Sequence, residues 1–403
     1  MSGLENVSVV GIQNIDRVVE AVEQTLDGNV VKMLNRKGLP RLDLPKVRKN
    51  KLIEIIPLST GCLGSCTYCK TKHARGKLGS YDPDAILERV KHVISEGVNE
   101  IWLSSEDTGA YGRDIGTNIV KLLWSIIEEL PEEGVMLRIG MTNPPYIMEH
   151  LEKIAIILKH PKVFSFLHVP LQSSCNIVLN SMNREYTVEE FNHIANYLLK
   201  EVPGMTFATD IICGFPSETE EYFQETMQSM DHYKFPVVNI SQFYPRPGTP
   251  AAKMKRIATQ VVKERSRKLT TLFEGFNPYT RLVGKTLKVL FSAELSEDGA
   301  HSVAHSKAYV KVLVPYEDDL AGSVAYVNIE KCDRFHILGK LVDKPLNMDE
   351  SKGESIQEVT NSDGVGGGFV QNIKSHGRSV TIAAAALLSI AAISVVRSMS
   401  NYR

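Results

Sequence analysis

The chain has 403 residues, enough for two domains or more, since single domains average about 150 residues. Hydrophobic residues make up 43% and charged residues 23%, proportions that exclude an intrinsically disordered chain. The formal net charge of −1 excludes a general electrostatic attraction to nucleic acid. Six cysteines in so long a chain exclude a disulfide-stabilised secreted scaffold.

Between residues 48 and 275, strands are predicted at 52–58, 101–103, 135–141, 163–169, 206–212 and 237–243. Helices are predicted between them at 82–97, 115–130, 146–159, 188–200 and 218–232. Six strand–helix units predict a parallel sheet with helices outside, which is an α/β fold. Because a closed barrel of this kind has eight units, we expect an open, partial (β/α)6 barrel.

Three cysteines follow the first predicted strand in the spacing C-x3-C-x2-C, namely Cys62, Cys66 and Cys69. Three closely spaced thiolates can hold three irons of a [4Fe–4S] cube and leave the fourth iron open to a ligand. A Cys3His zinc site that includes His73 is an alternative, although structural zinc ligands usually come as two separated pairs. Incidental thiols are the third interpretation.

Polar or unusual segments follow the other five predicted strands. Because the carboxyl ends of parallel barrel strands meet on one face, we expect these segments to form one active-site face. For His168 the alternative is a buried, hydrogen-bonded core histidine. The candidates are Ser104, Ser105 and Glu106 after the second strand, Thr142 and Asn143 after the third, His168 and Gln172 at the fourth, Gly214 at the fifth, and residues 244–250 after the sixth.

A basic stretch follows, with a helix predicted near residues 259–276. Its candidate phosphate contacts are Lys263, Arg265, Arg267 and Lys268, and a solvated helix face is the alternative. Residues 276–343 carry short β-rich runs at 285–291, 308–314, 324–329 and 335–341, which predict a small all-β barrel. Residues 344–378 are poor in apolar residues and predict a flexible linker.

The last apolar segment is uncharged over residues 380–396 and is bracketed by Arg378 and Arg397. A segment of this length lies at the short end of what spans a bilayer. A C-terminal transmembrane tail anchor is therefore predicted at residues 379–397, with a buried or interfacial helix as the alternative. The catalytic part is expected in the cytosol, and the short, alanine-rich anchor favours the thinner endoplasmic reticulum membrane.

These motifs resemble those of the radical S-adenosylmethionine (AdoMet) enzymes, and among them the methylthiotransferases. The superfamily resemblance rests on the cysteine triad with Tyr68 before its last member. The narrower resemblance rests on HVPLQS at 168–173, MNREYT at 182–187, TDIICGFPSET at 209–219 and YPRPGTPAA at 244–252. KTKHARG at 70–76 and SEDTGAYGRDIG at 105–116 are similar to the archaeal–eukaryotic branch. That branch modifies threonylcarbamoyladenosine next to the tRNA anticodon, and its animal members carry a tail anchor.

The resemblance implies that Cys62, Cys66 and Cys69 hold a [4Fe–4S] cube whose open iron is chelated by the amino and carboxylate groups of AdoMet. Electron transfer from the reduced cube then yields a 5′-deoxyadenosyl radical, which activates a C–H bond of the base. The residues after residue 275 resemble a TRAM domain, which binds tRNA. The implied partners are the tRNA anticodon stem-loop and an electron donor that the sequence does not identify.

The resemblance also implies roles on the active face. Tyr68 packs on the adenine of AdoMet or shields the cube. The segment that meets the methionyl amine is Ser104, Ser105 and Glu106, and the ribose-side, cofactor-side or substrate-side candidates are Thr142, Asn143, His168, Gln172 and Gly214.

One departure from the family lies at the start of the chain. Complete methylthiotransferases have an N-terminal domain with three more cysteines, which hold a second cluster implicated in supplying sulfur. No cysteine precedes Cys62 here, and residues 1–47 resemble only the linker after that domain. We therefore expect a truncated chain that binds one cluster, AdoMet and tRNA but completes methylthiolation poorly. Two alternatives stay open: a catalytically incomplete tRNA-binding or regulatory protein at a membrane, and a methylthiotransferase that acts on a ribosomal protein.

Overall fold

The structure is a computed structural model and describes residues 6–34, 38–44 and 46–344. The predicted tail anchor, and the predicted linker beyond Lys344, lie outside these described residues. Within them, every helix is too short or too polar to cross a membrane.

The described chain alternates strands and helices up to about residue 274 and is all-β beyond that point. The strands are β1 Val9–Val10, β2 Lys32–Met33, β3 Ile53–Pro57, β4 Ser59–Thr60, β5 Gly79–Ser80, β6 Glu100–Ser104, β7 Met136–Arg138, β8 Phe166–His168, β9 Thr206–Cys213, β10 Val237–Gln242, β11 Thr286–Leu295, β12 His301–Ser306, β13 Lys311–Pro315, β14 Val324–Cys332 and β15 Ile337–Val342. The helices are α1 Val18–Leu26, α2 Thr71–Arg75, α3 Pro83–Ser95, α4 Ile119–Glu129, α5 Pro144–Met148, α6 Leu151–Lys159, α7 Asn176–Ser181, α8 Val188–Glu201, α9 Glu220–Tyr233 and α10 Thr259–Glu274.

The segment before the first barrel strand is more than the linker that the sequence predicts. Strands β1 and β2 pair in parallel, and α1 connects them. Each strand has only two residues, too short for an alternating pattern to reveal it. One face of α1 is apolar and exposed, with Val19 at 64%, Val22 at 53% and Leu26 at 82% exposure.

Six parallel strands form the main domain, and their order in space follows their order in the chain. One three-stranded sheet has the order β3-β6-β7 and another has β8, β9 and β10 side by side. A parallel bridge between Leu137 and Val163 joins the two sheets, and the Thr142 amide donates to the His168 carbonyl at 3.0 Å. The predicted partial (β/α)6 barrel is confirmed.

Capping residues in the sequence determine where the outer helices begin. Asp82 caps α3 by accepting from the Asp84 amide, and Pro83 occupies the first helical position. Thr187 and Glu190 form a reciprocal capping box at the start of α8. Between these helices and the strands lies one continuous apolar core, in which Leu103 and Phe207 are fully buried. This core fixes the strand ends, which carry the candidate site.

Strands β11 to β15 close into a small barrel in the order β11-β12-β13-β15-β14. Its core is separate from that of the main domain and is built around buried residues such as Phe291, Val312 and Val327. The predicted all-β segment is therefore confirmed as a barrel. The sequence predicted four strands and missed β12, because its run from His301 to Ser306 is mostly polar or small.

The small barrel covers the amino-terminal ends of the six parallel strands. His305 Nδ1 lies 2.7 Å from Glu100 Oε1 at the start of β6. The Ser165 amide, just before β8, donates to the Lys307 carbonyl at 2.7 Å. Arg334 Nη1 donates to the carbonyl of Pro236, just before β10, at 3.0 Å. The carboxyl ends are left as the accessible end of the barrel.

Candidate active site

The cysteine triad lies in a loop between the short antiparallel strands β4 and β5. All three thiols are free and half-buried. A methyl group placed on Gly64 would lie 3.6 Å from Cys62 Sγ and 3.8 Å from Cys66 Sγ, so the missing side chain leaves a cradle between the two sulfurs. Gly61 has a φ of +73°, and a side chain there would meet the Lys77 carbonyl at 2.0 Å. The loop therefore needs glycine at its entry.

The donor chemistry fits an iron–sulfur cube better than one metal ion. In the described part of the chain, no three His, Cys, Asp or Glu side chains converge on a single-ion site. A cube does not need that convergence, because each thiolate binds a different iron. Burial raises the pKa of the Cys62 thiol to about 11, so metal binding there would displace a proton.

A turn after α7 supports the cysteine loop from one side. The Thr67 amide donates to the Met182 carbonyl at 2.9 Å, and Asn183 Nδ2 donates to the Ser65 carbonyl at 3.0 Å. Asn183 has a φ of +56°, a left-handed conformation that asparagine tolerates. The next residue is Arg184, whose Nη1 donates to Cys66 Sγ at 3.2 Å. The MNREYT motif thus lies directly against the triad.

The predicted segment after β6 connects to the cysteine hairpin. The Ser105 and Ser59 hydroxyls are 2.6 Å apart, and the Leu58 amide donates to the Ser104 carbonyl at 2.6 Å. Glu106 pairs with Arg75 of α2 at 3.0 Å. The structure therefore places the predicted methionyl-side residues against the β4–β5 segment that carries the triad, and their contact with AdoMet stays a prediction.

Asp107 is a buried carboxylate that the sequence analysis did not single out. It accepts from Asn143 Nδ2 at 2.7 Å, from the Asn143 amide at 3.2 Å and from Thr142 Oγ1 at 3.3 Å. Burial raises its pKa to about 6, against the lowering effect of these hydrogen bonds. Thr142 and Asn143 therefore lie on the predicted face, where Thr142 bonds to Asp107 and Asn143 bonds to both Asp107 and Arg184.

His168 and Asp210 form a pair at the ends of β8 and β9. His168 Nε2 lies 2.9 Å from Asp210 Oδ1, which also accepts from Asn239 Nδ2 at 2.8 Å. Burial alone would raise the pKa of Asp210, but His168 and Asn239 hold it below its usual value. Gln172 has a φ of +70°, and its amide donates to the Asp210 carbonyl at 2.7 Å. The structure thus brings His168 and Gln172 together around a residue that sequence analysis did not select.

Two predicted cofactor residues, Tyr68 and Gly214, have packing contacts, and their contact with AdoMet stays a prediction. A side chain on Gly214 would lie 2.4 Å from Val262 of α10, and the Gly214 amide donates to Glu218 Oε2 at 2.8 Å. Tyr68 packs edge-on against Phe215 at 6.2 Å between ring centroids. These contacts favour a shielding role for Tyr68 and a helix-packing role for Gly214.

The basic helix α10 does not present all four of its predicted phosphate contacts. Arg265 is 5% exposed and pairs with Glu218 at 2.7 Å and with Glu220 at 3.2 Å. The prediction for Arg265 is therefore wrong, because its position on the helix faces α9 and not solvent. Lys263, Arg267 and Lys268 are exposed, and Lys268 pairs with Glu264 at 2.8 Å.

A pocket opens to solvent beside the triad. Cys62, Cys66 and Gly64 line one side, and Asn143, Tyr146 and Arg184 line another. The pocket joins the metal-ligand candidates to polar groups from two segments, the one after β7 and the turn after α7. It is suited to a ligand that touches the metal group at one end and donor and acceptor side chains at the other.

Comparisons with known proteins agree with this site. A family model described as the radical SAM superfamily matches residues 56–230. Coproporphyrinogen III oxidase from Escherichia coli, described as a radical SAM enzyme, aligns at a TM-score of 0.41 with 14% identity, over 64% of this chain and 67% of that one. That structural likeness is too weak to support an argument.

Curated relatives are much closer. A protein of Drosophila pseudoobscura pseudoobscura named threonylcarbamoyladenosine tRNA methylthiotransferase is 53% identical over 89% of this chain. The chain spans slightly less than two thirds of that relative, 66% of its length. A Caenorhabditis elegans protein of the same name is 46% identical over 87% of this chain and 81% of its own length. On this identity and coverage, the chain belongs to the threonylcarbamoyladenosine tRNA methylthiotransferase family of radical SAM proteins.

Proposed function

We propose that this protein converts threonylcarbamoyladenosine in tRNA to its 2-methylthio form, replacing a C–H bond of the base by a C–SCH3 group. The observation that carries the proposal is the triad of free thiols around the Gly64 cradle, in a chain whose relatives are named for this reaction. The pocket beside the triad opens to solvent and is lined by Cys62, Cys66 and Arg184, so a ligand that enters it would meet both the cluster thiols and a cation.

The residues that would hold the cofactors follow from the site. Cys62, Cys66 and Cys69 would bind one [4Fe–4S] cluster. When bound, the cluster and AdoMet supply a one-electron reductive cleavage of the sulfonium bond. Ser105 and Glu106 contact Ser59 and Arg75 of the segment that carries the triad, and from there they would meet the methionyl end of AdoMet. The His168–Asp210 pair would orient the ribose or the base from the opposite strands.

The small β-barrel would act as a TRAM-like tRNA-binding domain. Its five closed strands and its place directly after the radical SAM region support this proposal. The exposed Lys263 and Arg267 of α10 would add contacts to tRNA phosphates, since exposed basic side chains supply most non-specific affinity for nucleic acid.

A membrane location is a separate proposal. The uncharged segment at 380–396 would anchor the chain in the endoplasmic reticulum membrane, with the catalytic domains in the cytosol. Carbonate extraction of cell membranes tests it by comparing the full chain with a chain ending at Lys344. The full chain should stay with the membrane and the shorter one should not, and release of both would contradict the anchor.

The activity is tested with the reconstituted protein, AdoMet, a chemical reductant and tRNA that carries threonylcarbamoyladenosine. Mass spectrometry of the digested tRNA should detect the 2-methylthio nucleoside. Formation of 5′-deoxyadenosine without that product would instead support the catalytically incomplete tRNA-binding alternative. In cells that lack the gene, an unchanged pool of the methylthiolated nucleoside would contradict the tRNA substrate. Loss of a methylthio group from a ribosomal protein would instead support the alternative of a ribosomal-protein methylthiotransferase.

A further inference from the structure

Arg184 contacts the cysteine triad in a way that the proposed function does not explain. Its three guanidinium nitrogens each have an acceptor of their own. Nη1 donates to Cys66 Sγ at 3.2 Å, Nε donates to the Tyr186 hydroxyl at 3.1 Å, and Nη2 donates to Asn143 Oδ1. The guanidinium is therefore held in one orientation by groups from three parts of the chain.

The acceptors of Arg184 are themselves fixed. The Tyr186 hydroxyl lies 2.7 Å from the Leu171 carbonyl and 2.9 Å from the Pro170 carbonyl, to which it can donate. Asn143 donates through Nδ2 to buried Asp107, and this sets the direction of its amide and leaves Oδ1 for Arg184. Because both neighbours are restrained, Nη1 stays aimed at the Cys66 sulfur.

The charge of Arg184 is felt by two carboxylates, Asp107 and Asp210, but neither contacts it directly. Among the ion pairs of the described residues, within 4.0 Å, none involves Arg184, whereas Arg265 and Arg89 each contact a buried carboxylate. A partly buried guanidinium without a carboxylate is costly unless another negative group compensates it. The Cys66 sulfur becomes such a group when it is a thiolate bound to iron.

Hydrogen bonds to the sulfurs of an iron–sulfur cluster change its reduction potential. Reduction adds one electron and hence one negative charge to the cluster. A fixed positive donor at a ligand sulfur therefore stabilises the reduced form more than the oxidised form. Its removal should make the cluster harder to reduce, so that the midpoint potential becomes more negative.

We propose that Arg184 is a positioning residue that raises the reduction potential of the cluster through its hydrogen bond to Cys66. This inference rests on the proposed function only in requiring that the triad holds a cluster. It extends that function by assigning a redox role to a residue outside the cysteine motif. The same contact connects the cluster to Asn143 on the predicted AdoMet side.

The test uses the reconstituted full chain and two substitutions, Arg184→Gln and Arg184→Lys. Glutamine removes the charge, and lysine keeps the charge but cannot serve three acceptors with a planar fork. Arg113→Gln is the matched control, because Arg113 lies over the Tyr146 ring on the same face and has no contact with a cysteine. Iron and sulfide contents are measured first, and the midpoint potential is then taken by dye-mediated titration followed by electron paramagnetic resonance.

The proposal predicts wild-type iron content in all three variants. The midpoint potential should shift to more negative values in Arg184→Gln, by less in Arg184→Lys, and not at all in Arg113→Gln. Wild-type potentials in both Arg184 variants would overturn it. If only Arg184→Gln loses iron, the midpoint potential of Arg184→Lys alone tests the proposal. Loss of iron from both variants would also overturn the proposed effect on the reduction potential. Failure of the wild-type chain to bind a cluster would instead contradict the proposed function.

Discussion

Two arginines of the main domain lie in different surroundings, Arg138 against the small β-barrel and Arg184 beside the cysteine triad, and the fold holds them in different ways. Arg138 of β7 is 2% exposed, and its guanidinium carbon lies 3.8 Å from the Tyr309 ring centroid and 4.4 Å from that of Phe166. Its Nε and Nη1 atoms have no hydrogen-bond partner. Arg184, at the carboxyl ends, donates from each nitrogen to a defined acceptor.

The two arginines differ in what surrounds the guanidinium group. Where the small β-barrel packs against the main domain, Arg138 is enclosed by aromatic rings from both domains, and burial lowers its pKa to about 10. At the carboxyl ends, the guanidinium is aimed at a cysteine sulfur beside an open pocket. Arg138 therefore acts by packing at the interface between the domains, whereas Arg184 places a directed donor at the candidate site.

Breaking the carboxyl-end site should have the largest effect. Cys66→Ala leaves two thiolates for a cluster that needs three from this loop, so iron should fall from about four per chain to near zero. Iron counting after reconstitution measures this, and Cys332→Ala in the small barrel is the control. Retention of about four irons in Cys66→Ala would contradict the assignment of the triad as the cluster ligands.

Breaking the amino-terminal interface should affect stability. Arg138→Ala leaves a cavity among aromatic rings and should lower the free energy of unfolding by roughly 3–5 kcal/mol. Arg138→Met refills most of that volume and removes a buried charge with unused donors, so we expect it to stay within about 1 kcal/mol of wild type. Urea unfolding measures both. A large loss in the methionine variant would show that the charge itself stabilises the interface.

Asp107 at the candidate site should make the free energy of unfolding depend on pH. Its pKa is raised from 3.8 to about 6, so between these pH values the folded protein binds a proton that the unfolded chain has released. Stability from this group is therefore highest below about pH 4 and falls as pH rises through about 6. Relative to Asp107→Asn, the wild-type free energy of unfolding should drop by about 2–3 kcal/mol between pH 4 and pH 7. If the free energies of unfolding of cluster-free wild type and cluster-free Asp107→Asn changed equally with pH, the raised pKa of Asp107 would be contradicted.

The smallest effect is expected on the surface of α10. Replacing both Lys263 and Arg267 by glutamine should reduce the slope of log affinity against log salt for tRNA by about 0.7–0.9 for each phosphate that is no longer neutralised. Arg265→Gln should instead lower stability, because it leaves Glu218 buried without its partner. Filter binding at several salt concentrations tests the first variant. An unchanged slope would show that Lys263 and Arg267 form a solvated helix face and do not contact tRNA phosphates.

Much of the fold could be predicted from the sequence because the main domain repeats one pattern. The six strands alternate with helices that have clear caps, such as Asp82 before α3, so both the (β/α)6 order and the shared face of the strand ends follow. The cysteine spacing also marks the cluster site without structural help. The two-residue strands β1 and β2 and the polar strand β12 were missed because they are too short or too polar for periodicity.

The finer features of the site depend on long-range contacts. Arg184 and Cys66 are 118 residues apart in the chain, and nothing in the local pattern brings them together. Asp107 could have been found beside Glu106, but only the fold shows which of the two acids turns inward. Arg265 was assigned to phosphates because charge runs do not reveal which helix face is buried.

The central claim, that the carboxyl-end face performs radical chemistry, is tested most directly by AdoMet cleavage. The reconstituted protein is reduced with dithionite in the presence of AdoMet, and 5′-deoxyadenosine is measured by chromatography. We expect 5′-deoxyadenosine from the wild-type chain and none from Cys66→Ala. Absence of 5′-deoxyadenosine from a wild-type chain that holds its full complement of about four irons would contradict it.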